Sequence, residues 1–291
     1  MPDQRSPSRA AVTIVTHRGL PAGALDDQLL ADALARLGVS SRFVPWDAPG
    51  INWAETPLTI VRSAWDYHRA PARWLTWIEY VAAWTTLINS PAILRWNTDK
   101  RYLRALAHAG VACVPAVFVA SGEAVSLQSI ARDHGWNDVV VKPAIGASAA
   151  GAMRFNDAAS DARGERHLAD LLARGVALVQ PYLREVETAR ERSYVFIGGA
   201  FAHAFSKWSF NTDASGGAAI LPHAAIAAEQ ALAEAALRAA PEAPLYARVD
   251  LVPTARGPLV MELELIEPDL GLRLHSAGAE RLARVCVDLG G

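Results

Sequence analysis

Lysine is scarce in this chain: of 28 basic residues only Lys100, Lys142 and Lys207 are lysines, and the other 25 are arginines. A lysine ammonium is a compact point charge that seats against a phosphate oxygen, whereas the arginine fork needs room for its plane. The three lysines therefore mark positions where the fork would not serve, unless they are mere survivors on an indifferent surface. Lys142 closes the strand-like VVVKP and precedes Ala144–Phe155, a run of small residues that includes Gly146, Ser148 and Gly151. Such a loop lets backbone N–H groups come close to phosphates, and it equally reads as a mobile surface loop. It is not the G-x-x-x-x-G-K-[ST] phosphate loop, because the lysine comes before the glycines. Lys100 falls in the predicted first turn of a helix, where a cation is disfavoured by about 0.3–1 kcal/mol and a bound anion would relieve the conflict.

Carboxylates gather elsewhere. In LYARVDLV–PTARGP–LVMELELIEP two strands are joined by a short turn. A period of two puts Arg248 and Asp250 on one face, and Glu262 and Glu264 on one face of the returning strand. Three carboxylates in that arrangement suit Mg²⁺, which takes one or two of them plus substrate phosphates. A solvated acidic face is the alternative. In VQPYL, Pro181 interrupts ladder pairing, so the backbone at Gln180 and Tyr182, beside Leu183, can read the edge of an adenine or can simply end a strand. IVRSAWDYH closes another strand with Arg62, Trp65 and Asp66, a pair of charges able to grip a carboxylate and an ammonium group. In open parallel sheets ligands collect beyond the carboxyl ends of strands, although a helix-start loop with a buried Trp is as good a reading. Lys207, with Asn211, Gly216 and Gly217 in the loop after it, is a further candidate for the substrate side.

The elements that must position these residues fall into blocks. Strands AVTIVT, SRFVPW and PLTIVRS alternate with helical patterns, which predicts an α/β unit with a mostly parallel sheet over residues 11–95, after a tail at 1–10. The Trp-rich segment Pro71–Leu87 reads as one helix. WNTDKRYLRALAHAG reads as a single helix with Asn97 as its N-cap and Gly110 as its stop. Strands VPAVFVA and DVVVKP flank the helix LQSIARDHG in a block at 96–180. Strands, an alanine-rich helix over about 224–239 and the acidic hairpin fill 181–291. A hydrophobic content of 52% with 20% charge describes a globular chain, and a net charge of −2 gives no electrostatic reason to expect nucleic acid or an anionic membrane. No apolar run reaches the roughly 18 residues of a membrane span. Two cysteines, Cys113 and Cys286, have no metal-type spacing and fit a reducing cytoplasm.

Taken in order, NTDKRYL, VVVKPAIGASAAG, VQPYL, ERSYVFIGG, YARVD and MELELIEP resemble the ATP-grasp superfamily of ligases over residues 90–270. The resemblance implies an N-terminal α/β domain followed by a two-part, α+β grasp module with a mobile lid. It implies ATP and two Mg²⁺ ions, with Lys100, Lys142 and the Gly146–Gly151 loop on the phosphates. Gln180, Tyr182 and Leu183 would hold adenine, and Glu187 the ribose. Asp250, Glu262 and Glu264 would hold the metal, although many members carry Asn in place of Glu264. Arg248, with Lys207, would act on the transferred phosphoryl group. The implied reaction joins a carboxylate to an amine through an acyl phosphate, releasing ADP and phosphate. VRSAWDY and ELELIEP are similar to the cyclo-ligase group of cycloserine biosynthesis, which closes O-ureido-serine on itself. An amino-acid-like substrate follows from that likeness. A small-molecule kinase on the same scaffold and an ATP-binding module without turnover are the alternatives, and a homo-oligomer is left open.

Overall fold

A computed structural model describes residues 11–212 and 218–290. The chain opens with β1 (Val12–Thr16), α1 (Leu25–Arg36), β2 (Ser41–Pro45), β3 (Leu58–Val61), α2 (Pro71–Ala82) and β4 (Thr86–Ile88). These strands form a wholly parallel sheet in the order β2-β1-β3-β4. β1 and β3 are mostly apolar, with buried threonines at Thr13, Thr16 and Thr59, and are buried along their whole length, as parallel strands covered on both faces must be. The Trp-rich segment is shorter as a helix than its composition suggests. Trp74 and Trp77 stack at 4.7 Å inside α2, but the β-branched end at Thr86–Ile88 pairs with β3 as a strand.

The next segment corrects the sequence reading. α3 (Pro91–Asn97) and α4 (Tyr102–His108) are separate helices. The cap is Ser90, whose hydroxyl accepts from Ile93 N at 3.3 Å, with Pro91 at the first helical position. Asn97 is the last residue of α3, and its buried side-chain amide donates to Leu263 O and accepts from Leu265 N, each at 2.8 Å. Lys100 thus stands in the turn between two helices.

β5 (Val117–Val119), α5 (Leu127–His134), β6 (Val139–Pro143), β7 (Met153–Phe155), α6 (Ala162–Leu172) and β8 (Ala177–Pro181) follow. They make an antiparallel sheet, β5-β8-β6-β7, and α5 and α6 share an apolar cluster with its strands. Then come β9 (Glu191–Ile197), β10 (Ala200–Thr212), β11 (Ala218–His223), α7 (Ala227–Arg238), β12 (Tyr246–Thr254), β13 (Gly257–Glu264) and α8 (Ser276–Gly290). Their sheet is antiparallel, β11-β10-β9-β12-β13.

The expected α/β class with a grasp of α+β character is what the chain adopts. One apolar cluster runs from Ile14 and Ile60 of the first sheet through Leu282 and Cys286 of α8 to Val195 and Tyr246 of the last. The N-terminal sheet is therefore packed on the C-terminal one, and the cleft lies where the three sheets meet.

Candidate active site

The hairpin supplies the floor of the cleft. Register pairs Arg248 with Glu264 and Asp250 with Glu262, so the face that alternation predicted is the face that forms. A ligand oxygen from each of Asp250, Glu262 and Glu264 lies within 4.8 Å of the others, and these hard donors fit a magnesium-like cation. Arg248 bridges them, with Nε 2.9 Å from Asp250 Oδ1, NH2 3.0 Å from Asp250 Oδ2, and a further bond to Glu264. Lys207, on β10 across β9, reaches Asp250 Oδ2 at 2.6 Å and Glu191 at 3.4 Å.

Electrostatics separate the three acids. Burial would raise Asp250, but Arg248 and Lys207 hold it well below the ordinary carboxylate range. Burial works against Glu262 as well, yet Lys100 and Lys142 bring it down to about 2. Glu264 goes the other way. Burial outweighs Arg248, and Glu262 and Asp250 add repulsion, so it is pushed up to about 7.

Lys100 is tied down from three directions. Its backbone N–H donates to Ala144 O at 2.8 Å, its Nζ to Gly146 O at 3.1 Å, and the same ammonium pairs with Glu262. The neighbouring carboxylate of Glu262 answers its charge. Lys142 lines the same cleft with no ion pair among the described residues, and burial lowers the pKa of its amine. Over it folds the small-residue loop, in which Ser148 (φ 51°) and Ala149 (φ 55°) are both left-handed. For residues with a Cβ that conformation costs roughly 1–2 kcal/mol each. Gly151, at φ 74°, carries no such cost.

The cleft has a volume of about 530 Å³ and brings together Lys100, Lys142, Gly146, Ser148, Gln180, Tyr182, Leu183, Lys207, Arg248, Glu262, Glu264 and Trp65. Several expected residues stand elsewhere. Arg62 is buried at 2% exposure, with its NH2 on Pro268 O at 2.9 Å and its Nε 3.3 Å from Asp27. Asp66 accepts from Trp46 Nε1 at 2.7 Å and does not line the cleft. Glu187 is held outside it by Arg154 at 2.6 Å and by the Tyr182 hydroxyl at 3.0 Å, whereas Glu191 does line it. Tyr182 N–H is already given to Asp138 O at 2.8 Å, so that donor is spent. Gly216 and Gly217 lie outside the described residues, as does the side chain of Asn211. Tyr67, which follows the WD pair at the same strand end, also lines the cleft, as do Tyr102, Trp208, Glu267 and Asp269, which escaped the sequence reading.

An N-terminal parallel sheet, a small antiparallel sheet that carries Lys142 and the small-residue loop after it, and a carboxylate hairpin make this an ATP-grasp ligase. D-alanine–D-alanine ligase from Bacillus anthracis has the same fold, with a TM-score of 0.66 at 12% identity and 97% of each chain covered. The crystal structure of D-cycloserine synthetase DcsG superposes with a TM-score of 0.84 at 29% identity, covering 96% of this chain and 99% of that one. Cycloserine biosynthesis protein DcsG of Streptomyces lavendulae is 30% identical over 284 residues, 89% of this chain and 92% of that protein. Residues 12–89 match the family model for the N-terminal domain of D-cycloserine synthetase DcsG. The chain belongs to the DcsG family of ATP-grasp ligases.

Proposed function

We propose that the protein is an ATP-dependent carboxylate–amine ligase that closes an amino-acid-like substrate on itself, with O-ureido-serine as substrate and cycloserine as product. The observation that carries this reading is the likeness to DcsG along nearly the whole chain, 30% in sequence and 0.84 in TM-score, with a cleft whose charges suit Mg·ATP.

Lys142 and Lys100 meet the nucleotide phosphates under the Gly146–Gly151 loop, which opens and closes over them as a lid. Gln180 and Leu183 flank the adenine. Leu183 N–H has no backbone partner among the described residues, which makes it a better donor than Tyr182. Glu191 stands closer to the ribose role than Glu187, because it faces the cleft. Asp250, Glu262 and Glu264 hold Mg²⁺, which when bound neutralises phosphate charge. A substrate carboxylate oxygen attacks the γ-phosphorus and ADP leaves. Arg248 and Lys207 neutralise the phosphoryl oxygens during that step, so positioning and charge carry the catalysis. The carbamoyl-bearing nitrogen of the same molecule then attacks the acyl carbon, phosphate leaves and the nitrogen loses a proton, and hydrolysis of the carbamoyl group to carbon dioxide and ammonia leaves cycloserine.

No described helix is long and apolar enough to cross a membrane. Cys113 and Cys286 are free, which suits a reducing cytoplasm.

Phosphorus-31 NMR of the protein with Mg·ATP and O-ureido-serine tests the reading. ADP, phosphate and a cyclised product are expected. AMP with pyrophosphate contradicts the acyl phosphate route, and an accumulating phosphorylated substrate marks a kinase.

A further inference from the structure

Five carboxylates line the cleft, and four of them face a cation. Glu191 faces Lys207, Glu262 faces Lys100, Glu264 faces Arg248, and Asp269 faces Arg273. Glu267 does not. It is 8% exposed, and among the described residues its carboxylate has no ion pair and meets only its own backbone N–H. A buried carboxylate without a cation is costly, so it takes up a proton or is completed by a group from outside the chain.

The backbone around Glu267 is fixed with unusual completeness. Six consecutive carbonyls, from Leu265 to Leu270, are each bonded by a side chain from another part of the molecule. Asn89 Nδ2 holds Leu265 O at 2.8 Å, Tyr246 OH holds Ile266 O at 2.6 Å, and Trp65 Nε1 holds Glu267 O at 3.0 Å. Arg62 NH2 holds Pro268 O at 2.9 Å, Arg248 NH1 holds Asp269 O at 2.9 Å, and His203 Nε2 lies 2.8 Å from Leu270 O. Gly271 closes the segment at φ 61°, where a Cβ would meet Phe205 at 2.9 Å. The Glu267 side chain is thus presented to the cleft from a segment with little freedom to withdraw it. Two aromatic residues attend it: Trp65, through the bond just given, and Tyr67, whose phenol is pushed far up by burial and then by the Glu267 charge.

We propose that Glu267 binds the ammonium group of the amino-acid substrate, with the rings of Trp65 and Tyr67 beside it, and so sets the specificity of this end of the cleft. The assignment rests on the ligase reading given above. A carboxylate against an ammonium, in a cleft that Trp65 and Tyr67 also line, is sufficient chemistry for the task. Burial, reinforced by Glu264 and opposed by Lys100, pushes Glu267 up to about 8, with Glu262 adding to the repulsion. At neutral pH the empty site therefore holds a proton that an arriving ammonium displaces.

Calorimetry on the full chain saturated with Mg·AMPPNP tests this, because any proton displaced by the metal has already left. The probes are O-ureido-serine and the analogue lacking its amine. The wild type is expected to prefer the amine-bearing compound by ~100-fold and to release protons on binding near pH 7, read from the dependence of heat on buffer. Glu267→Gln is expected to bind both compounds equally weakly and to release none. A Glu267→Gln protein that keeps the wild-type preference overturns the assignment and leaves the ligase reading standing. A wild type that binds neither compound overturns both. Should Glu267→Gln fail to bind Mg·AMPPNP, Glu267→Asp decides: a preference cut by ~10-fold or more supports the assignment, and an undiminished one overturns it.

Discussion

Lys207 Nζ lies 2.6 Å from Asp250 Oδ2, so a cation suited to a phosphate is already bound to a carboxylate suited to a metal. The same exchange recurs at Lys100 with Glu262 and at Arg248 with Glu264. The charges of the cleft are thus paired with one another. A metal arriving alone meets carboxylates that are occupied, and a nucleotide arriving alone meets occupied cations. Only their joint arrival replaces every broken pair. AMPPNP is therefore expected to bind at least ~10-fold more weakly without a divalent ion, and Mn²⁺ alone to bind barely at all. Calorimetry for the nucleotide and electron paramagnetic resonance for free Mn²⁺ measure the two. Independent, additive binding would remove the exchange picture.

Lys142 stands apart as the cleft lysine without an ion pair among the described residues, so nothing in the fold loses a partner when it goes. Lys142→Ala is expected to weaken Mg·AMPPNP by ~10–100-fold, the worth of a charge-assisted hydrogen bond. The melting temperature of the ligand-free protein should hold steady or rise, since burial already works against this ammonium. A fall in melting temperature with unchanged affinity would make Lys142 structural.

The spread among the three acids sets a pH dependence. Asp250 and Glu262 stay ionised through the neutral range, whereas Glu264, pushed up to about 7, must give up a proton to serve as a ligand. Metal and proton compete for it, so metal affinity falls as pH drops below about 7, by up to ~10-fold per unit. Titrating Mn²⁺ into the AMPPNP complex between pH 6 and 8 shows the slope. Glu264→Gln should flatten it, and a slope that survives that change assigns the proton elsewhere.

Arg62 was expected at the substrate and is found within the interior, paired with Asp27 and bonded to Pro268 O. Its removal leaves Asp27 buried without a countercharge, which costs about 3–5 kcal/mol. Arg62→Ala is accordingly expected to lower the unfolding free energy by that amount in urea titrations. A variant of unchanged stability that lost only substrate affinity would restore the expected role.

What the sequence revealed and what it hid divide along physical lines. The acidic face of the hairpin was legible because strand alternation is strictly local, whereas the pairing of Asp250 with Glu262 depends on a register that shifts between Asp250 and Leu251. Lys142 was legible from its loop. Asn97 was misread because an Asn at a helix boundary looks like a cap, whereas its partners lie 166 and 168 positions away. Arg62 and Asp66 occupy the right end of the right strand, but sequence cannot say whether a side chain turns outward or into the core. Glu267 and Glu191 belong to no periodic pattern. Their importance comes from what is missing or present around them in three dimensions.

The six carbonyls of Leu265–Leu270 are held by side chains that come from both ends of the chain: Arg62, Trp65 and Asn89 from the N-terminal sheet and its loops, and His203, Tyr246 and Arg248 from the last sheet. Neither half owns that segment. Recombining the N-terminal third of one such ligase with the remainder of another would cut three of the six tethers, and selectivity would not travel with either parent. Only chimeras that carry Arg62, Trp65 and Asn89 together with the segment they clasp are expected to inherit it, which makes this seam a place where specificity evolves by paired change.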